Sequence, residues 1–140
     1  MNYASQVDMV ERFGEQELIR LTDRNRTGTI DATVLDRALA DATAEMNGYL
    51  ASRYQLPLTS KPVVLVRVCA DIARYHLHDD HIPDPVETRY KAAVELLRQV
   101  SIGRVSLGVS DTGAEPTSND GADIESGGRI WGRADSDGFI

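Results

Sequence analysis

Val63-Val64-Leu65-Val66-Arg67-Val68-Cys69-Ala70-Asp71-Ile72-Ala73-Arg74-Tyr75-His76-Leu77 is the stretch whose reading decides the fold. Wound at 3.6 residues per turn, it is apolar on nearly every side, the pattern of a helix enclosed by other helices. Its charges, Arg67, Asp71 and Arg74, recur at steps of three and four and predict one solvated edge. Pro57 and Pro62 bracket a break just before it. No apolar run in the chain approaches the roughly 20 residues that a membrane helix needs, so no membrane segment is expected.

Helical patterns extend outward in both directions. Upstream, Asp31 is placed to cap a long amphipathic helix with Val34, Leu35, Ala38, Leu39, Ala42, Met46, Tyr49 and Leu50 on one face. Before that, Ser5 caps a short helix carrying Val7, Val10 and Phe13, which Gly14 ends, and Glu15 to Leu21 reads as a second short helix. Downstream, Asp84-Pro85 opens a last helix with proline in its favoured first turn. Val86, Tyr90, Ala93, Val94, Leu97 and Val100 form its buried stripe, and Gly103 closes it. Arg104 to Leu107 reads as one short strand or as an extended exit. There is no internal repeat. The expected fold is all-α, a small bundle of four to five helices over residues 1–108.

Near Gly108 the composition changes. Residues 109–140 are rich in Gly, Ser, Asp and Thr and hold no sustained period of 2 or 3.6, so they read as an extended, mostly irregular C-terminal arm. Seven acids (Asp111, Glu115, Asp120, Asp123, Glu125, Asp135 and Asp137) against Arg129 and Arg133 give this arm −5 of the net −7, leaving −2 on the body. The acidic balance, with a pI near 4.9, argues against phosphate-backbone binding as the main activity. The arm nevertheless carries the chain's one tryptophan, Trp131, and one of its two phenylalanines, Phe139. Ile130, Trp131, Phe139 and Ile140 are the candidate partner-binding anchors, since aromatics on such an arm suit a partner's groove; the alternative is that the arm folds back on its own body.

Two segments imitate metal sites. Asp23-Arg24-Asn25-Arg26-Thr27-Gly28-Thr29-Ile30-Asp31 follows a calcium loop at its first, third, sixth, eighth and ninth positions. The twelfth position is Val34 where two glutamate oxygens are needed, and Arg24 and Arg26 add positive charge. Asp23 and Asp31 are better read as a helix-to-turn residue and a helix cap, with Gly28 supplying a positive φ. His76, His78, Asp79, Asp80 and His81 gather the chain's three histidines. His76 and His78, two apart on a helix, would face different sides, and a helix C-terminus favours histidine on dipole grounds. A small calcium- or metal-responsive binding module is the alternative reading. No metal ligands are assigned and no cofactor is expected.

No catalytic set emerges. Gly127-Gly128 lacks the flanking strand and helix of a phosphate loop, and Cys69 sits on the most apolar segment as a buried small residue. The expectation is that the protein is not an enzyme. A single cysteine forms no disulfide within the chain and fits a reducing compartment. The first eight residues have neither a basic start nor an apolar run, and do not read as a secretory signal.

Several segments together resemble a phage family. They run Arg12-Phe13-Gly14-Glu15, Glu17-Leu18, Leu21-Thr22-Asp23, Ile30-Asp31, Asp41-Ala42, Gly48-Tyr49-Leu50-Ala51, Arg53-Tyr54, Leu56-Pro57-Leu58, Asp71-Ile72-Ala73-Arg74-Tyr75 and Arg89-Tyr90. In order and spacing the series resembles the Mu-like bacteriophage neck proteins (DUF1320), regarded as head–tail adaptors. It covers residues 3 to 108, and the arm matches less well. The resemblance implies a virion protein at the head–tail interface, assembled in the host bacterial cytoplasm. It further implies a homo-oligomeric ring, expected to hold twelve copies, seated under the portal protein and above a tail, stopper or terminator protein. DNA would pass through such a ring without specific binding.

Overall fold

The computed structural model describes residues 1–108. The expected arm, residues 109–140, lies outside the described residues. Among those described there are five helices and no strand, an all-α architecture: α1 (Gln6–Phe13), α2 (Glu15–Thr22), α3 (Ala32–Leu50), α4 (Val63–Leu77) and α5 (Asp84–Ser101).

Each boundary has a local cause. Ser5 and Asp8 form a reciprocal cap at the start of α1: the Asp8 N–H donates to Ser5 Oγ, and the Ser5 N–H donates to Asp8 Oδ2. Gly14, at φ +90°, ends α1 and starts α2 in one residue, a turn open to glycine because it has no Cβ. Asp31 Oδ1 accepts the Thr33 and Val34 amides and opens α3. Pro85 stands in the first turn of α5, where its missing N–H costs nothing.

Helices α3, α4 and α5 pack on one another, and α1 and α2 lie against α3 and α4. The core is contributed by all of them: Met9, Leu18, Leu35, Leu39, Met46, Leu50, Leu65, Val68, Ile72, Leu97 and Val100 are each no more than 1% exposed. Burying each such side chain contributes roughly 1.5–3 kcal/mol. In α4 the run Val68-Cys69-Ala70-Asp71-Ile72-Ala73 is buried without a break, Asp71 included.

Three details differ from the sequence reading, and one open choice is settled. The edge of α4 expected to be solvated is so only at Arg67: Asp71 is only 4% exposed and Arg74 is largely covered. Both are enclosed because α1, α2 and α5 close over that side of α4, which helical spacing alone does not reveal. In α1, Met9 is the fully buried residue, while Val7 is 64% exposed. His78 is the residue that ends α4 and not part of it, with an extended ψ of 130°. Residues 104–108 leave the bundle as irregular chain, which resolves the choice between strand and exit.

Candidate partner-binding surface

The calcium-like loop is closed by its own backbone. Asp23 Oδ1 accepts the Thr27 amide at 2.8 Å and the Thr27 hydroxyl at 3.0 Å, and Oδ2 accepts the Gly28 amide at 2.7 Å. Those amide donors hold the Asp23 carboxyl below the usual carboxylate range. Gly28 takes φ +84° and Arg26 φ +58° to bring the amides round. The loop is fastened to α2 through Thr22, whose hydroxyl donates to the Leu18 carbonyl and accepts the Asp31 amide. Both aspartates therefore act as turn and cap.

The histidines are drawn apart. His76 Nε2 lies 3.0 Å from Glu45 Oε1 on α3, and His78 Nδ1 donates back to the Arg74 carbonyl. His81 is exposed in the loop before α5. Among the described residues no three His, Cys, Asp or Glu side chains gather in a metal-holding group. The Glu45 carboxylate also accepts from the Tyr90 hydroxyl at 2.8 Å, and the rings of Tyr75 and Tyr90 stack with centroids 3.8 Å apart. Burial, and then the Glu45 contact, push the Tyr90 hydroxyl up to about 12. This cluster joins α3, α4 and α5 by one shared carboxylate.

Cys69 lies beside Thr43 in the core, and burial raises its thiol. Asp71 has Arg67 at 3.7 Å and Arg89 at 3.9 Å. Burial raises its carboxyl, and the arginines only partly offset that rise. These buried reactive groups thus have structural neighbours on several helices. The aromatic anchors Ile130, Trp131, Phe139 and Ile140 lie outside the described residues.

One recess in the described surface is more apolar than polar: a cavity of about 300 Å³ between the N-terminal residues and the loop joining α3 to α4. Tyr3, Leu56, Pro57 and Leu58 wall it. At its polar side the Tyr3 hydroxyl donates to Asn47 Oδ1 at 2.5 Å, and Lys61 Nζ donates to the Asn2 carbonyl at 3.1 Å. Sequence reading missed this recess, because its walls come from three separated segments and no periodicity joins them.

The family model for bacteriophage Mu Gp36 matches residues 3–126, the whole bundle and the first part of the acidic region. The chain belongs to the bacteriophage Mu Gp36 family. Two relatives are similar along their full lengths. The Mu-like prophage FluMu protein gp36 of Haemophilus influenzae strain Rd is 36% identical over 138 residues, covering 99% of this chain and 98% of that one. Gene product J of Escherichia phage Mu is 36% identical over 142 residues, covering both chains entirely. The Gp36 family match ends before Ile130, Trp131, Phe139 and Ile140, whereas the alignment with gene product J continues over them. No described helix of this Gp36-family chain is long and apolar enough to cross a membrane.

Proposed function

We propose that this protein is a structural virion component, a head–tail connector that forms a ring under the portal, joins capsid to tail and continues the DNA channel. The observation that carries the proposal is the full-length similarity to gene product J of Escherichia phage Mu, read with the resemblance of residues 3–108 to phage neck proteins. The protein acts by binding, not by catalysis. In support, its buried reactive groups, Asp71 and Cys69, are placed among structural neighbours. The body carries −2 and the C-terminal region −5, a balance that lets subunits approach laterally while an acidic wall repels the DNA backbone. Repeated contacts by Trp131, Phe139 and Ile140 around a ring add up by avidity even where each is weak. The calcium-module reading loses support because the Asp23 oxygens already accept the loop's own amides.

The test is absolute mass by light scattering after gel filtration, for the chain alone and mixed with portal rings of the same phage. Co-migration at about one chain per portal subunit is the expected result, twelve copies being the stoichiometry of a complete ring. A chain that elutes apart from intact portal rings overturns the connector role.

A further inference from the structure

The recess between Tyr3 and the 56–58 loop has the chemistry of a seat for one large, mostly apolar side chain with a polar edge. Tyr3, Leu56, Pro57 and Leu58 supply the walls. Asn47 Oδ1 accepts from the Tyr3 hydroxyl and keeps a second lone pair for another donor. An indole matches this arrangement, an apolar plate carrying a single N–H.

The last described residues lie against the same loop. The Leu107 amide donates to the Tyr54 hydroxyl at 3.2 Å, and Tyr54 stands two residues before Leu56, so Gly108 departs beside the loop that walls the recess. Residues 109–130 then separate Gly108 from Trp131, the one tryptophan of the sequence. At the dimensions of a flexible chain, that many residues would span about 26 Å root-mean-square, enough for Trp131 to reach the recess. The entropy of closing such a loop grows only slowly with its length, and a tethered group meets a nearby site at an effective concentration of about millimolar.

We propose that this recess seats Trp131 of the same chain, folding the C-terminal segment back on its own body. The seat keeps the anchor from other copies until a partner offering more contacts displaces it. It does not depend on the connector role, since groove and occupant belong to one molecule.

Because Trp131 is the sole tryptophan, its fluorescence in the full chain reads the proposal directly. The expected emission is blue-shifted, and unchanged over a hundredfold range of protein concentration. A nitroxide on Ser60→Cys, at the recess, is expected to quench it. The same label on Thr88→Cys, near the end of α5 remote from Gly108, leaves it bright. Cys69 is buried, so the label goes to the introduced thiol. Leu58→Glu returns the emission to that of an exposed indole while the far-ultraviolet helix signal stays. Exposed emission in the unaltered chain overturns the proposal, and so does bright emission with the label at position 60. A blue shift that grows with concentration also overturns it, by making the occupant a second copy. Should Leu58→Glu lose its helix signal, the labelled Ser60→Cys chain decides alone.

Discussion

Arg74 and Glu17, 57 residues apart in the chain, meet as a two-pronged ion pair, Nε 2.6 Å from Oε2 and Nη2 3.1 Å from Oε1. The same guanidinium lies 4.4 Å from the centroid of the Phe13 ring, so one side chain of α4 holds α1 and α2 against the bundle. Both partners are mostly covered, 18% exposed each, which strengthens charge-assisted hydrogen bonds relative to a surface pair. Arg74→Ala is expected to lower unfolding free energy by about 1–3 kcal/mol, measured by urea denaturation. Arg74→Lys recovers only part of it, because an ammonium has neither the planar fork nor the ring stacking. Full recovery by lysine would show that charge alone matters here.

Thr22 is fully buried, and its hydroxyl both donates to the Leu18 carbonyl and accepts the Asp31 amide. Thr22→Val keeps the shape and removes the hydroxyl, stranding the Asp31 N–H. The expected loss is about 1–3 kcal/mol, with Thr22→Ser retaining most of the stability. Equal loss in both variants would assign the effect to packing.

The raised Asp71 carboxyl has a consequence for pH. A carboxyl raised on folding stabilises the folded state most when protonated, and that contribution is lost as pH rises through its folded value. The groups facing it, Arg67 and Arg89 first and then Arg74 and Arg12, lower it but do not reverse the effect of burial. Asp71→Asn cannot ionise. Its stability relative to the unaltered protein is therefore expected to improve steadily from about pH 3 to pH 7, as followed by thermal melts. A trend in the opposite direction would mean that the arginine contacts outweigh burial.

Asp23 behaves with the opposite sign. Its lowered carboxyl contributes stability above the usual carboxylate range, and that stability is lost as the pH falls through the folded value. Asp23→Ala is expected to lower the melting temperature equally with and without millimolar calcium, and calcium is expected to leave the unaltered protein unmoved. A calcium-induced rise that Asp23→Ala abolishes would return the loop to cation binding.

Most of the helical architecture was legible because it is written locally. Ser5, Gly14, Asp31 and Pro85 mark ends that depend on one or two residues of backbone chemistry, and the stripes of α3 and α5 follow helical spacing. The stretch of α4, apolar on nearly every side, announced a central helix by itself. The roles of Asp23 and Asp31 were also readable, since an Asx turn and a cap are made within a few residues.

What spacing could not carry was which side of α4 faces water. Arg67, Asp71 and Arg74 form a regular polar edge in the sequence, yet Asp71 is buried and Arg74 is engaged, because Glu17 and Phe13 reach them from α2 and α1 and Arg89 from α5. Polar spacing records where charges lie on a helix, whereas burial depends on what packs over them. The recess walled by Tyr3 and Leu56 to Leu58 belongs to the same class. The sequence by itself determined the helices, their caps and the acidic C-terminal composition, all consequences of neighbours along the chain. The enclosed Asp71, the Arg74–Glu17 clasp and the recess beside the chain exit were decided only in the tertiary structure, where residues tens of positions apart exchange water for one another.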